Sequence, residues 1–503
     1  MIGNELLVRR SANRTRSIGL AACLMLVVIL PTVLGQGKTG KSQSGSWPVF
    51  GREVNGSHYN PEEKITPANV AKLKVLWKFE TGADVSGQPV IANGVLYFGS
   101  WDGKEYALDA KTGAKLWEYD CGLPSRSAAA YADGMLYFGD IGGFLHALDA
   151  KDGKLKWKKR VDTHPSTVAT SSPIIHEGKV YIGVSSHEEG AMLQKPDYVC
   201  CTFRGSVLAL EAATGKELWR YWVIPETPSE QGKNKKGKSI IGPAGGAVWS
   251  TVSLDTASKR LYVTTGNQYT PPASKFPNAI IALNLDTGKL VWSYQATPGD
   301  IWTFDCRNLA ECSDLDVDFG MAPVFFKGKG NKTLVGAGQK SGWFFALDPA
   351  TGAVEWKKEV GPGGKLGGIE FGGATDGERV YVGISNHPKQ GSISALDGAT
   401  GKILWQTPSP DNKANFGPVT VTGRGANRLV WAGSQGGFVR AYNAADGKIL
   451  WEFDTGGGVG GGATIVDGVV YIGSGYRFLG IGKPNNKLYA FAVDGGEGAK
   501  AKL

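Results

Sequence analysis

The chain has 503 residues with 73 glycines, six cysteines and a formal charge of +9, a length that allows several small domains or one large repetitive one. Its lysines gather in a loop-like run, "GKNKKGKS" at 232–239, with no aromatic residues interleaved, which argues against nucleic acid. After the first 35 residues no apolar run is long enough to span a bilayer. The first segment reads "RRSANRTR" and then "IGLAACLMLVVILPTVLG", a basic stretch followed by an apolar one that ends in small residues near Gly35. That pattern is a signal peptide over 1–35; a lipid anchor is the alternative, but the run is short and broken by Pro31. Removing it lowers the charge to +6 and leaves five cysteines, an odd number, in an oxidising compartment. Cys306 and Cys312 are the easiest local pair to bridge. Cys200 and Cys201 stand side by side in "YVCCTFRG", as two thiols, as ends of two separate bridges, or as a bridge to each other.

A repeat organises the rest. "ALDAKTGAKLW" ends at Trp117 and "ALDAKDGKLKW" at Trp157, and related units end at Trp219, Trp292, Trp356, Trp405 and Trp451. An incomplete copy, "LKVLWKFETG", carries Trp77 near the start, and its missing half is "KLYAFAVDG" at the end. In each unit a strand ends in Ala-Leu-Asp, a Thr-Gly or Asp-Gly turn reverses the chain, and a second strand bears the tryptophan. Further alternating runs, such as "GVLYFGS" and "VVYIGSG", bring each unit to about four short strands, with no convincing amphipathic helix. Eight such units predict an all-β fold, an eight-bladed β-propeller whose ring is closed by N- and C-terminal strands. The expected boundaries are a linker over 36–46, the propeller over 47–493 and a disordered tail over 494–503. The tryptophans are expected to pack between blades. Trp219 stands 62 positions after Trp157, and Trp292 73 positions after Trp219, so these enlarged units must carry long loops, where sites form.

The "A-x-D-x-x-T-G-x-x-x-W" unit is similar to that of quinoprotein alcohol dehydrogenases, periplasmic propellers that bind pyrroloquinoline quinone (PQQ) and a metal. "SSHEEGAM", "YVCCTFRGSVLALEAATG", "GPAGGAVWS", "DLDVDFG" and "GQKSGWFFALDPATG" most resemble the polyvinyl alcohol dehydrogenase branch. The resemblance runs from Trp47 to the final strand. It implies Trp249 as the flat floor under the quinone and Asn267, in "TTGN", as a metal ligand. Ser185 and Glu188 reproduce the pair that supplies a quinone contact and the second metal ligand, with Thr170 as a further quinone contact upstream. Arg126 is similar to the arginine that grips a quinone carboxylate, and Lys340 to the cation beside the reactive carbonyls. A planar tricarboxylate needs a stacking surface, fixed cations and a hard metal, calcium or a lanthanide, held by oxygen.

The departures are as informative. The family's vicinal cysteine pair, which covers the other quinone face, lies just before the arginine, where this chain has only Cys121. Cys200 and Cys201 follow Glu188 instead, and they are expected to bridge and form that lid, with a link from Cys121 to either as the competing pairing. Ser86 and Ala247 stand where the family places polar contacts. Thr303, in "GDIWT", replaces the aspartate base, so Asp305 is the expected catalytic residue or metal ligand, with Asp318 a second choice. The implied activity is a periplasmic or secreted oxidation of a secondary alcohol, polyol or polymer hydroxyl, with electrons passed to a separate cytochrome c or other acceptor, since "C-x-x-C-H" is absent. The rival is a non-enzymatic propeller, a binding scaffold or an outer-membrane assembly factor.

Overall fold

The computed structural model describes residues 45–495. The expectations for the leader, for most of the linker and for the tail from 496 onward fall outside the described residues. Within them lie eight antiparallel sheets, each with four principal strands in meander order. Blade 1 comprises Val90–Ala92, Val95–Gly99, Lys104–Asp109 and Lys115–Asp120, and blade 2 runs from Ala130–Ala132 to Leu155–Arg160. Blade 3 runs from Ile174–His176 to Glu217–Trp222, blade 4 from Ser253–Asp255 to Leu290–Gln295, and blade 5 from Val324–Lys327 to Val354–Glu359. Blade 6 runs from Gly373–Thr375 to Ile403–Pro408, and blade 7 from Thr420–Thr422 to Ile449–Asp454. Blade 8 joins the two ends of the sequence: Lys74–Glu80 pairs antiparallel with Lys487–Ala492, bringing Trp77 opposite Ala490. The split repeat therefore closes the ring.

The repeat motif makes both the turn and the joint between blades. In blade 1 the Asp109 carboxylate accepts bonds from the Lys111 and Thr112 amides and from the Thr112 hydroxyl. Gly113 then takes φ +71°, a conformation that favours glycine. The glycine has a second reason to be bare, because a Cβ there would strike the Trp77 indole of the preceding blade. Each indole lies over the next blade's turn and donates Nε1 to a carbonyl there: Trp77 to Ala110 at 3.2 Å, Trp117 to Ala150 at 3.1 Å, Trp405 to Ala444 at 2.9 Å. Such a bond contributes about 1 kcal/mol net, and it recurs around the ring. Two units differ: Trp451 donates to the Leu73 carbonyl, just before the outer strand of blade 8, and Trp219, at the enlarged third unit, has its Nε1 unpartnered. The cores sit between blades; one joins Tyr471, Leu488 and Ala490 of blade 8 to Leu96, Phe98 and Leu108 of blade 1.

Residues 47–60 cross one end of the ring. Trp47, fully buried, bonds to Ile91 of blade 1, the Pro48 carbonyl accepts from Tyr131 of blade 2, and Val54 accepts from Leu254 of blade 4. The crossing ends where Tyr59–Asn60 adds a parallel strand beside Thr420–Thr422 of blade 7. This segment closes that end of the central channel. The other end carries the long loops. No helix among the described residues is long and apolar enough to cross a membrane.

Candidate functional site

A cavity lined from all eight blades lies on the ring axis, with Phe50 of the crossing segment in its wall. Each blade contributes residues that precede its inner strand, from 86–88 of blade 1 to the triple glycine 460–462 of blade 8. Arg126, Thr170 and Trp249, distant in sequence, meet in this wall. The Gly320 backbone lies against the edge of the Trp249 indole, where a Cβ would overlap ring carbons. On another side Phe371 meets that ring edge-on at 6.0 Å. Arg126 reaches in from blade 2, with its guanidinium carbon 4.2 Å from the Phe478 ring centre and 5.3 Å from that of Trp101, and it donates to the Tyr476 hydroxyl at 2.9 Å. Among the described residues no carboxylate forms an ion pair with Arg126, so an anionic ligand is its natural partner.

Beside Trp249 lies a buried cluster of charge. Lys340 Nζ is 2.8 Å from Asp318 Oδ1, 3.2 Å from Asp316 Oδ1 and 5.6 Å from the Trp249 ring centre. Trp249 Nε1 donates to Asp318 Oδ2 at 2.9 Å. Asn267 donates Nδ2 to Asp316, and its Oδ1 is buried without a partner. Glu189 and Glu370 each keep one buried carboxyl oxygen unpartnered. Burial pushes both up to about 8 and Asp316 to about 6, with the nearby acids adding to the rise. Burial works against the Lys340 ammonium, but Asp316, Asp318 and Glu370 outweigh it and hold the group protonated. Four acids against one ammonium leave room for a hard cation, and every free donor here is an oxygen. Among the described residues no three His, Cys, Asp or Glu side chains are grouped to hold a metal alone. A bound polycarboxylate would complete the shell. The residues thus fit a planar polyanion on Trp249 with a cation at Asn267.

Other expected site residues lie elsewhere. Ser185 is buried opposite Val168 in the short pairing with Thr167–Val168 and does not line the cavity. Glu188, expected as a metal ligand, is fully buried and saturated by protein donors. It accepts from the Tyr198 hydroxyl at 2.6 Å, from the Thr202 amide at 2.8 Å and from the Phe203 amide at 2.7 Å. Burial opposes its charge, yet those bonds and His164 hold the carboxyl below its usual range. Its neighbour Glu189 has the unpartnered oxygen. The serine spacing is satisfied by either glutamate, since Ser186 stands three residues before Glu189.

Cys200 and Cys201 are bridged to each other, as are Cys306 and Cys312. Cys121 is a free, buried thiol that donates to the Gly103 carbonyl at 2.8 Å, so the competing pairing is not formed. The vicinal pair does not line the cavity at Trp249. Cys200 opens on a second, smaller cavity shared with Tyr198, Thr303 and Asp305. Asp305 itself accepts from the Asn308 side chain at the start of the turn Cys306–Asn308. The loop after Trp302 instead delivers Asp316 and Asp318 to the central cluster. Asp300 shapes that loop through Ser313, Asn278 and the Val317 amide. Sequence reasoning missed Glu189, Asp316, Glu370 and the aromatic surround of Arg126. The acid-rich "DLDVDFG" carried a signal for Asp316, whereas Glu370, alone between glycine-rich stretches, carried none.

The family model "Glucose/ethanol/alcohol dehydrogenase, beta-propeller domain", of the PQQ group, matches residues 47–359, and that of "Outer membrane protein assembly factor BamB" matches 340–497. A polyvinylalcohol dehydrogenase of Pseudomonas sp. is 35% identical over 90% of this chain and 78% of its own. That of Sphingopyxis sp. strain 113P3 is 34% identical over 90% and 77%. Among solved structures, the quinohemoprotein alcohol dehydrogenase ADHIIG of Pseudomonas putida HK5 superimposes with a TM-score of 0.74 at 22% identity, covering 91% of this chain and 81% of that one.

Proposed function

The chain belongs to the PQQ-dependent alcohol dehydrogenase propeller family, and from that premise we propose an exported enzyme that oxidises a secondary alcohol, polyol or polyvinyl alcohol-like hydroxyl. The observation that carries this reading is the joining of Arg126, Thr170 and Trp249 in one cavity, with Lys340 and three unpartnered acid or amide oxygens beside it. Trp249 supplies the floor for the quinone, Arg126 grips a carboxylate, and Thr170 contributes a polar wall. Asn267 Oδ1, together with Glu189, offers ligands to calcium, or to a lanthanide. Bound there, PQQ supplies the two-electron acceptor chemistry. Lys340 places fixed positive charge beside the floor, where negative charge develops during oxidation. Phe371, Phe478 and Tyr476 restrict water at the mouth, and a separate cytochrome c-type acceptor takes the electrons.

A binding scaffold or assembly factor is the second reading, favoured by the match over 340–497. A scaffold has no need of a buried Lys340 among four acids. The test is reconstitution of purified protein with PQQ and calcium, followed by a screen of primary, secondary and polymeric alcohols with a reducible dye. Dye reduction that requires both quinone and a secondary alcohol supports the enzyme. Binding of outer-membrane precursors with no dye reduction supports the scaffold.

A further inference from the structure

Oxidation of an alcohol needs a group to take the hydroxyl proton, and neither expected position provides one at the cavity. Thr303 is a buried hydroxyl, too weak a base without an activating partner. Asp305 opens on the second cavity and is engaged by Asn308. Resting on the quinone-dependent reading above, we propose that Asp318 is the proton acceptor, delivered by a loop that bypasses the family position.

Asp318 is the acid in direct contact with the floor, through Trp249 Nε1 at 2.9 Å. Its other oxygen is 2.8 Å from Lys340 Nζ, which fixes the carboxylate beside the cation at the Nε1 side of the indole. The backbone fixes it as well. Its carbonyl accepts from the Lys340 amide at 3.0 Å, and two residues on Gly320 lies against the edge of the indole. The other acids are committed or remote. Asp316 binds the Asn267 amide nitrogen and so turns that side chain's oxygen toward the cation position. Glu189 lies beneath the loop whose Phe304 amide bonds to its carbonyl. Glu370 is the one competitor, with a free oxygen beside Phe371. With a quinone held by Trp249 and Arg126 supplying the two-electron, hydride-accepting chemistry, Asp318 would take the carbinol O–H proton as the C–H hydrogen leaves with its electron pair. The substrate becomes a carbonyl compound, and Asp318 later returns its proton to solvent.

The experiment compares Asp318→Asn with Asp305→Asn and Glu370→Gln in full-length protein. Two readouts are taken: quenching of tryptophan fluorescence as apoprotein binds PQQ with calcium, and turnover of the reconstituted protein. Asp318→Asn is expected to bind quinone within about threefold of the parent and to lose kcat by a factor on the order of 10²–10⁴, with KM little changed. Added formate is expected to restore part of the turnover of Asp318→Ala. Quinone-loaded Asp318→Asn that turns over like the parent overturns the proposal alone, as does a loss confined to Asp305→Asn or Glu370→Gln. Loss of quinone binding in Asp318→Asn also overturns it, by making the residue a positioning group. A parent protein that binds no quinone overturns the enzyme reading and this proposal together.

Discussion

Replacing Gly320 with alanine tests whether Trp249 is the floor of a quinone site. A Cβ at this position would lie 2.5 Å from Cζ3 and 2.6 Å from Cζ2 of the indole, and would overlap the ring carbon between them. Carbon atoms in contact prefer about 3.5–4.0 Å, so the ring must retreat by about 1 Å or more. It has little room, because Phe371 stands against it and Nε1 is tied to Asp318 at 2.9 Å. Overpacking of this kind costs about 1–3 kcal/mol. If quinone must push the ring back to its native position, that cost appears as a dissociation constant weakened by a factor of about 5 to about 150. The assay is a calorimetric titration of apoprotein with PQQ in calcium, with a urea unfolding midpoint as the control for global stability. Unchanged quinone affinity in Gly320→Ala would falsify the assignment of Trp249 as the stacking surface.

The two adjacent glutamates should separate cleanly. Glu189→Gln is expected to weaken calcium binding in a terbium-luminescence competition while the protein unfolds near its usual urea concentration. Glu188→Gln is expected to cost about 1.5–3 kcal/mol of stability, the worth of hydrogen bonds to a charged group, with calcium affinity kept; the opposite pattern returns the ligand role to Glu188. His58, 1% exposed, is held neutral by burial with its pKa pushed down to about 3. Its contribution is present above pH 6.5 and is lost as pH falls toward 3, because only the unfolded chain takes the proton; at pH 5 the loss is about 2 kcal/mol. The drop in urea midpoint between pH 7 and pH 5 should therefore shrink in His58→Asn, a residue that tolerates the positive φ of this position. An equal drop in both proteins contradicts it.

The ring was legible in the sequence because each blade repeats the same local physics: an aspartate that organises a turn, a glycine with positive φ, and a tryptophan that docks on the next turn. Arg126, Thr170, Trp249 and Lys340 were placed by the resemblance of their local motifs to those of the family, and the first three meet in the cavity wall. In the loops that resemblance misleads. Glu188 and Glu189 differ by one residue, and only the donors at Tyr198, Thr202 and Phe203 decide which carboxylate is consumed by the fold. Asp305 is near the family position in sequence, yet the bridge between Cys306 and Cys312 lies in a turn facing the second cavity. Asp316 and Asp318 travel farther along the chain to reach Lys340. The crossing of residues 47–60 gave no periodic signal, since its bonds are scattered single contacts with several blades.

The most direct measurement is a single-turnover experiment on apoprotein loaded with one equivalent of PQQ and calcium, then mixed anaerobically with a secondary alcohol. Stoichiometric binding, followed by conversion of the quinone spectrum to its reduced form with one carbonyl product per site, is the expected result. A quinone spectrum unchanged by any alcohol, or binding that survives the Arg126→Ala and Trp249→Ala double variant at full affinity, would contradict a quinone-dependent dehydrogenase centred on this cavity.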